Sequence, residues 1–504
     1  MTGSPGKRYN TAMIRLLDQK TIKTAGLLAG PLLFLAFLLL PLPLAPRAQI
    51  VAGILAWVVV YWFSEAIPLA ATALMGVVLC VALGAADARE AFAPFADPTI
   101  FLFLGSFLLA KGLEVHGLDR RIAYRIVSSR WVGDDPVRLL LAYGAVTAFI
   151  SMWISNTAAA AMMLPVGLGL IRALQDESQD SGAHDRFAVG ILLMTALGAS
   201  VGGIGTPVGT PPNVIGIAMI ENLAGVRIPF FQWMLFAVPL LVVMFLLLFG
   251  ILLRFHGPGT LTVDVVKLRE KRIGLGPLSP GERNVLAAFG VAVALWIVPG
   301  VLALLWGADS PLVGAFGRRF PEAAAAMIGA LLLFVLPKDL QRMEPSLTWE
   351  QALEIDWGTL LLFGGGLSLG SLMFQSGLAE SVGRGILAVS GADSCWGIAF
   401  AAILVSILAS EVTSNTATAN MVVPVVISLC VAAGVNPVPP ALGATLGASW
   451  GFMLPVSTPP NAIVFGSGLV PLRAMLRVGW VFDLVGCLVL WAGLRILLPL
   501  VGLA

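Results

Sequence analysis

Two short patterns of oxygen-bearing residues each occur twice in this chain. Ser-x-x-x-Ser-Asn-Thr runs from Ser151 to Thr157 and again from Ser410 to Thr416. Thr-Pro-Pro-Asn runs from Thr210 to Asn213 and again from Thr458 to Asn461. Hydroxyls, an amide oxygen and backbone carbonyls freed at a helix break are hard donors that can replace the hydration shell of a small cation such as sodium. Ser151, Ser155, Asn156, Ser410, Ser414 and Asn415 are therefore candidate cation ligands. The same side chains can also cap the helices that follow them, accepting from free N–H groups. In Thr-Pro-Pro-Asn, two prolines remove two N–H donors and prevent helix continuation, so the preceding helices break or kink there.

Four broken elements with tips near a membrane midplane would bring helix N-termini together, and these attract anions. None of the four motifs contains Lys, Arg or His. A multivalent anion among them would need further positive charge, which bound cations can supply. Sodium is favoured over protons because the tips hold no buried His and no matched acid pair. Glu411 is the one ionisable residue in the second tip; a structural hydrogen-bonding role competes there with proton coupling. Glu65, in Ser64-Glu65-Ala66-Ile67-Pro68, reads as a loop or cap residue.

The elements that carry these motifs must be membrane helices. Of 504 residues, 58% are hydrophobic and only 12% charged, with 30 Lys+Arg against 28 Asp+Glu. That excludes an ordinary soluble enzyme and any strong basic field for nucleic acid. The 55 Gly and 32 Pro fit helices that break inside a bilayer. At about 20 apolar residues per crossing, spans are expected near 25–44, 49–64, 67–85, 98–115, 187–206, 229–254, 284–306, 322–337, 357–375, 441–456 and 478–499, about eleven in all. The stretches 139–171 and 395–434 are too long for one crossing and are interrupted by Ser-Asn-Thr, which predicts two re-entrant helical hairpins. Segments 117–133 and 376–392 read as interfacial helices. The fold class is thus an all-α polytopic membrane protein.

Positive charge near span ends orients the chain. The basic segment 1–24, the stretch Arg120 to Arg130, the stretch Lys267 to Arg272, and Lys338, Arg342, Arg473 and Arg477 fall on one side, expected to be cytoplasmic. Arg318 and Arg319 are the exception, and the C-terminus is expected outside. Segment 1–24 reads as a retained tail because no small-residue cleavage site follows it. Cys80, Cys395, Cys430 and Cys487 lie in or beside apolar runs and read as packed hydrophobes. His116, His184 and His256 have no metal-ligand spacing, and no organic cofactor is expected.

The chain also repeats itself. Asp97 and Asp356, Gly105 and Gly364, Ser155-Asn156-Thr157 and Ser414-Asn415-Thr416, and Pro165 and Pro424 are all offset by 259 residues. Gly117-Leu118 and Gly377-Leu378 are offset by 260, and the two Thr-Pro-Pro-Asn copies by 248. Ordered matches at nearly one offset mark a duplication. An odd number of crossings separates the copies, so they enter the membrane from opposite sides. That is an inverted-topology repeat, the architecture of secondary transporters.

With these motifs, the run Phe452-Met453-Leu454-Pro455-Val456-Ser457-Thr458-Pro459-Pro460-Asn461-Ala462-Ile463-Val464-Phe465-Gly466-Ser467-Gly468 and Ser64-Glu65-Ala66-Ile67-Pro68 resemble the divalent anion/sodium symporter family over nearly the whole chain. Within it the chain is most similar to bacterial sodium-coupled dicarboxylate transporters of the INDY type. The resemblance implies a homodimer in the bacterial inner membrane, surrounded by lipid, that moves succinate, malate, fumarate or citrate with sodium by an elevator motion. It implies a scaffold (25–133 and 284–392), a transport domain (134–255 and 393–504) and a cytoplasmic linker (256–283). Carried over residue by residue, one sodium site comprises Ser151, Ser155, Asn156 and Gly209; the other comprises Ser410, Ser414, Asn415 and Ser457. Relatives often have Ala at the position of Ser457, which implies that its backbone carbonyl serves. Substrate carboxylates would meet Asn156, Thr157, Thr210, Asn415, Thr416, Thr458 and Pro459. The same fold resembles sodium-independent dicarboxylate exchangers and sulfate symporters. A channel would need a continuous pore, and an enzyme would need titratable groups that the tips lack.

Overall fold

The computed structural model describes residues 19–176, 181–307, 310–391 and 393–504. Most of the basic tail expected over 1–24 therefore lies outside the described residues; Lys20 and Lys23 stand on the first helix, Gln19–Leu39. Among the described residues, ten helices are long and apolar enough to cross a membrane. Side chains such as Leu28 (65% exposed), Leu304 (69%) and Leu488 (53%) cover their outer faces with apolar surface, as lipid contact requires and water would penalise.

Eight of the expected spans are long helices, among them Pro98–His116, Phe230–His256 and Leu472–Leu500. Two others, Leu69–Ala82 and Glu322–Val335, are shorter, at 14 residues each. The span expected over 441–456 is not a single helix. Val438–Gly447 ends after 10 residues, and in the unwound stretch that follows, which contains Gly451 and Pro455, the Glu411 carboxylate accepts the backbone N–H groups of Phe452 (2.6 Å), Met453 (2.9 Å) and Leu454 (3.3 Å). Donors freed by unwinding need such acceptors when buried.

Both Ser-Asn-Thr segments join two helices that pack against each other. Pro136–Ser151 turns into Asn156–Ile171, and Cys395–Val412 turns into Asn415–Ala433. Each arm of the second pair is itself long and apolar enough to cross. The broken helices are Ser181–Gly203 followed by Pro211–Ala224, and Val438–Gly447 followed by Pro459–Gly466. Ser181–Gly203 packs on Pro136–Ser151, and Val438–Gly447 packs on Cys395–Val412. The distal pieces cross over. Pro211–Ala224 packs on Asn415–Ala433 of the other half, and Pro459–Gly466 on Asn156–Ile171. The two halves interlock at the tips.

Local detail follows the sequence offsets. Asp97 caps Pro98–His116 by accepting from Thr99 N–H (2.9 Å), and Asp356 caps Trp357–Gln375 by accepting from Thr359 N–H (3.0 Å). A left-handed glycine follows each helix, Gly117 (φ 65°) and Gly377 (φ 78°), a conformation that a Cβ disfavours. Amphipathic helices Leu118–Val127 and Leu378–Ser390 then begin, at the two segments expected to be interfacial. Glu65 adopts φ 46° as the C-cap of Pro46–Ser64, the loop role expected of it.

The all-α expectation needs one amendment, since two small antiparallel ribbons are present. Leu174–Asp176 pairs with Leu261–Val263, and Pro337–Asp339 with Glu344–Pro345. The first ribbon ties the segment expected to be a cytoplasmic linker, 256–283, to the end of the first helix pair.

Candidate functional site

Both Ser-Asn-Thr turns are built alike. The Ser155 hydroxyl accepts Ala158 N–H (3.3 Å), and the Ser414 hydroxyl accepts Ala417 N–H (3.1 Å). The capping role is therefore present at both. Behind each cap an inner serine donates to the asparagine: Ser151 Oγ to Asn156 Oδ1 at 2.8 Å, and Ser410 Oγ to Asn415 Oδ1 at 2.7 Å. Ser410 also lies 2.9 Å from the Ala448 carbonyl. Ser151 and Ser410 are fully buried.

The unwound stretches before the Thr-Pro-Pro-Asn segments are held by their asparagines. Asn213 Nδ2 donates to the carbonyls of Gly203 (2.9 Å) and Thr206 (2.8 Å); Asn461 Nδ2 donates to those of Gly451 (3.2 Å) and Leu454 (3.0 Å). Both asparagines are fully buried, and among the described residues neither Oδ1 has a partner. Orphaned buried oxygens of this kind need an explanation. The unwound backbone also leaves no room for side chains. A Cβ on Gly209 would stand 2.5 Å from the Gly203 carbonyl and 3.0 Å from the Met152 carbonyl, and one on Gly203 would overlap Asn156 Oδ1. A Cβ on Gly451 would stand 2.9 Å from the Ser410 carbonyl. Each half thus concentrates hydroxyl, amide and carbonyl oxygens in a tight buried cradle with no basic side chain in it, a donor set suited to a hard monovalent cation.

Glu411 distinguishes the second half. Besides its three backbone N–H donors, it receives the Ser457 hydroxyl at 2.6 Å on its carboxylate, with its carbonyl 3.1 Å from the same hydroxyl. At the equivalent place in the first half stands Met152, whose carbonyl accepts from the Thr206 hydroxyl. Both halves thus tie the turn to the unwound stretch through a hydroxyl, but only the second uses a charge. Glu411 has the structural hydrogen bonds expected for it, and the Ser457 hydroxyl is committed to them.

One cavity of about 540 Å³ lies where the two turns meet, a size typical of small-molecule sites. Its wall contains all seven expected substrate residues, Asn156, Thr157, Thr210, Asn415, Thr416, Thr458 and Pro459, together with Ser155, Ser414 and Ser457. Ser151, Gly209 and Ser410 lie outside the lining, buried behind it. Lys111, Glu114, Glu354 and Asp356 also line the cavity, and motif reasoning missed this because they come from helix Pro98–His116 and the turn before Trp357–Gln375, which carry no tip. The available signal was Lys111 itself, a lone cation inside the apolar run 98–115, since charge within a span marks function. The inference that no fixed cation attends the anion site holds for the four motifs but not for the cavity.

Residues 21–500 match the family described as the sodium:sulfate symporter transmembrane region. The sodium-dependent dicarboxylate transporter SdcS of Staphylococcus saprophyticus is 35% identical over 484 residues, covering 94% of this chain and 91% of the relative. SdcS of Staphylococcus aureus strain MRSA252 is 33% identical over 512 residues, covering 98% and 95%. Among solved structures, the YdaH transporter of Alcanivorax borkumensis shares the fold, with a TM-score of 0.53 at 13% identity, covering 84% of this chain and 89% of that one. With ten membrane-length apolar helices and relatives named as transporters, this is an integral membrane protein, and the chain belongs to the sodium:sulfate symporter transmembrane region family, the divalent anion/sodium symporters.

Proposed function

We propose that the protein is a secondary active transporter that carries dicarboxylates such as succinate, malate and fumarate, and tricarboxylates such as citrate, into the cell together with sodium. What carries the reading is the convergence of both Ser-Asn-Thr turns and both Thr-Pro-Pro-Asn segments on one cavity, each backed by an oxygen cradle. The names of the relatives support sodium and dicarboxylate as the transported pair.

In this reading the first sodium ion is held by Ser151, Ser155, Asn156 and Gly209, the second by Ser410, Ser414, Asn415 and Ser457. Asn156 and Asn415 touch both ion and anion. They accept from Ser151 and Ser410 on the cradle side and line the cavity on the other. Sodium binding places positive charge behind the cavity wall, and helix N-termini add to it, so the dianion is compensated only once the ions are in place. The two helix pairs re-enter the membrane from opposite sides as an inverted repeat. Segments 134–255 and 393–504 form a transport domain that moves as an elevator against a scaffold of 25–133 and 284–392, within a homodimer whose N-terminus is cytoplasmic and C-terminus outside.

The experiment is accumulation of radiolabelled succinate in proteoliposomes under an inward sodium gradient, with citrate, glutamate and sulfate as competitors. Equal accumulation with potassium or choline in place of sodium would sink the reading. A second reading, sodium-independent exchange of dicarboxylates, is favoured by one observation, the fixed cation Lys111 in the cavity wall. Uptake that requires internal dicarboxylate and ignores sodium would select it.

A further inference from the structure

We propose that Lys111 forms a subsite for the second carboxylate of the transported dicarboxylate, taking it in exchange for its present partner Glu354. The inference rests on dicarboxylate transport as read above.

Lys111 stands near the end of helix Pro98–His116, away from all four tips in sequence, yet it lines the same cavity as Asn156, Asn415 and Thr458. Its Nζ lies 2.8 Å from Glu354 Oε2 and 3.2 Å from Glu114 Oε2. An ammonium has three donors, so these contacts leave one over. The exposures decide the direction of the argument. The Lys111 side chain is 13% exposed, whereas Glu114 is 50% and Glu354 64% exposed. The cation is thus the sheltered member, and its field acts across the cavity with little screening. Both carboxylates are wetted, and pairs of that kind contribute little net stability. A substrate carboxylate arriving through the cavity can replace Glu354, which then returns to water. Asp356, the other acid in the lining, is not a competing partner, because its oxygens accept from Thr359 N–H (3.0 Å) and the Thr359 hydroxyl (2.5 Å). A dicarboxylate bound by one end among the asparagine and threonine tips thereby meets a cation at its other end, and a monocarboxylate of the same length does not gain from it.

The test is sodium-driven uptake by the full-length protein in proteoliposomes, with succinate and its monoamide succinamate as probes. Lys111→Met is expected to raise the KM for succinate about tenfold, the loss of one charge-assisted hydrogen bond, leaving the succinamate KM and the sodium half-saturation unchanged. Lys111→Arg restores much of the difference. Glu354→Gln releases the ammonium and is expected to lower the succinate KM. If the pair were only structural, Lys111→Met and Glu354→Gln would shift both probes in the same direction. That result, or an unchanged succinate KM in a folded Lys111→Met protein, overturns the proposal; should Lys111→Met fail to fold, Glu354→Gln decides by the sign of its effect alone. Absence of any sodium-driven uptake by the unmodified protein would instead overturn the reading on which it rests.

Discussion

The Glu411 carboxylate accepts the Ser457 hydroxyl at 2.6 Å and, beside it, the N–H groups of Phe452, Met453 and Leu454. One buried carboxyl group thereby satisfies four donors in the unwound stretch between Gly447 and Thr458. Glu411→Gln leaves buried donors facing an amide N–H₂, at a cost of about 1–3 kcal/mol. We expect lower thermal stability and a sharp loss of succinate uptake. Ser457→Ala removes one hydroxyl donor, about 1 kcal/mol, and should leave uptake within a few-fold of normal. A stable Ser457→Ala protein with no uptake would mean that the hydroxyl, not the carbonyl, serves the ion.

Asn156 and Asn415 each stand between a cradle and the cavity. Asn156→Ala and Asn415→Ala are expected to abolish uptake while the protein still elutes as a folded species. Full activity in both variants would remove the proposed sites.

The first cradle has no space for a methyl group at Gly209, where a Cβ would be 2.5 Å from the Gly203 carbonyl. Gly209→Ala is expected to raise the sodium half-saturation concentration by roughly tenfold or more, about 1.4 kcal/mol or above. The succinate KM at saturating sodium should change less. Titration of uptake against sodium at fixed succinate checks this. An unchanged half-saturation would show that no ion depends on that backbone.

Asp119, on the amphipathic helix Leu118–Val127, is buried, and among the described residues its Oδ2 has no partner. Burial pushes its carboxyl above the usual range, despite hydrogen bonds from its own N–H and that of Arg120. A raised folded-state pKa means that the group favours folding below its ordinary value and opposes it once ionised. Asp119→Asn should therefore raise Tm at neutral pH, and the gain should shrink as pH falls into the carboxylate range. Thermal unfolding in detergent at a series of pH values measures it; a lower Tm at pH 7 would refute the sign.

Much of the site was legible because local chemistry repeats. The inner serines, the asparagines and the double prolines could be paired by offset, since a turn that exposes carbonyls needs those residue types in that order. The end of Val438–Gly447 was placed too late, because the double proline drew the expected break to Thr458–Asn461. The chain unwinds earlier, around Gly447 and Gly451, where the N–H groups that follow are accepted by Glu411, 41 residues from Phe452 in the chain. The ribbon joining Leu174–Asp176 to Leu261–Val263 was hidden, as three-residue strands leave no periodicity to detect.

The amino-acid sequence by itself determined residence in a membrane, the four points at which helices break and the oxygen-rich character of each tip. These follow from composition and from residues adjacent in the chain. Only the tertiary structure decided that all four tips share one cavity, through the packing of Pro459–Gly466 on Asn156–Ile171 and of Pro211–Ala224 on Asn415–Ala433. It alone brought Lys111 into the wall of that cavity. Such contacts join segments far apart in sequence, and their formation depends on how whole helices pack, which no local pattern records.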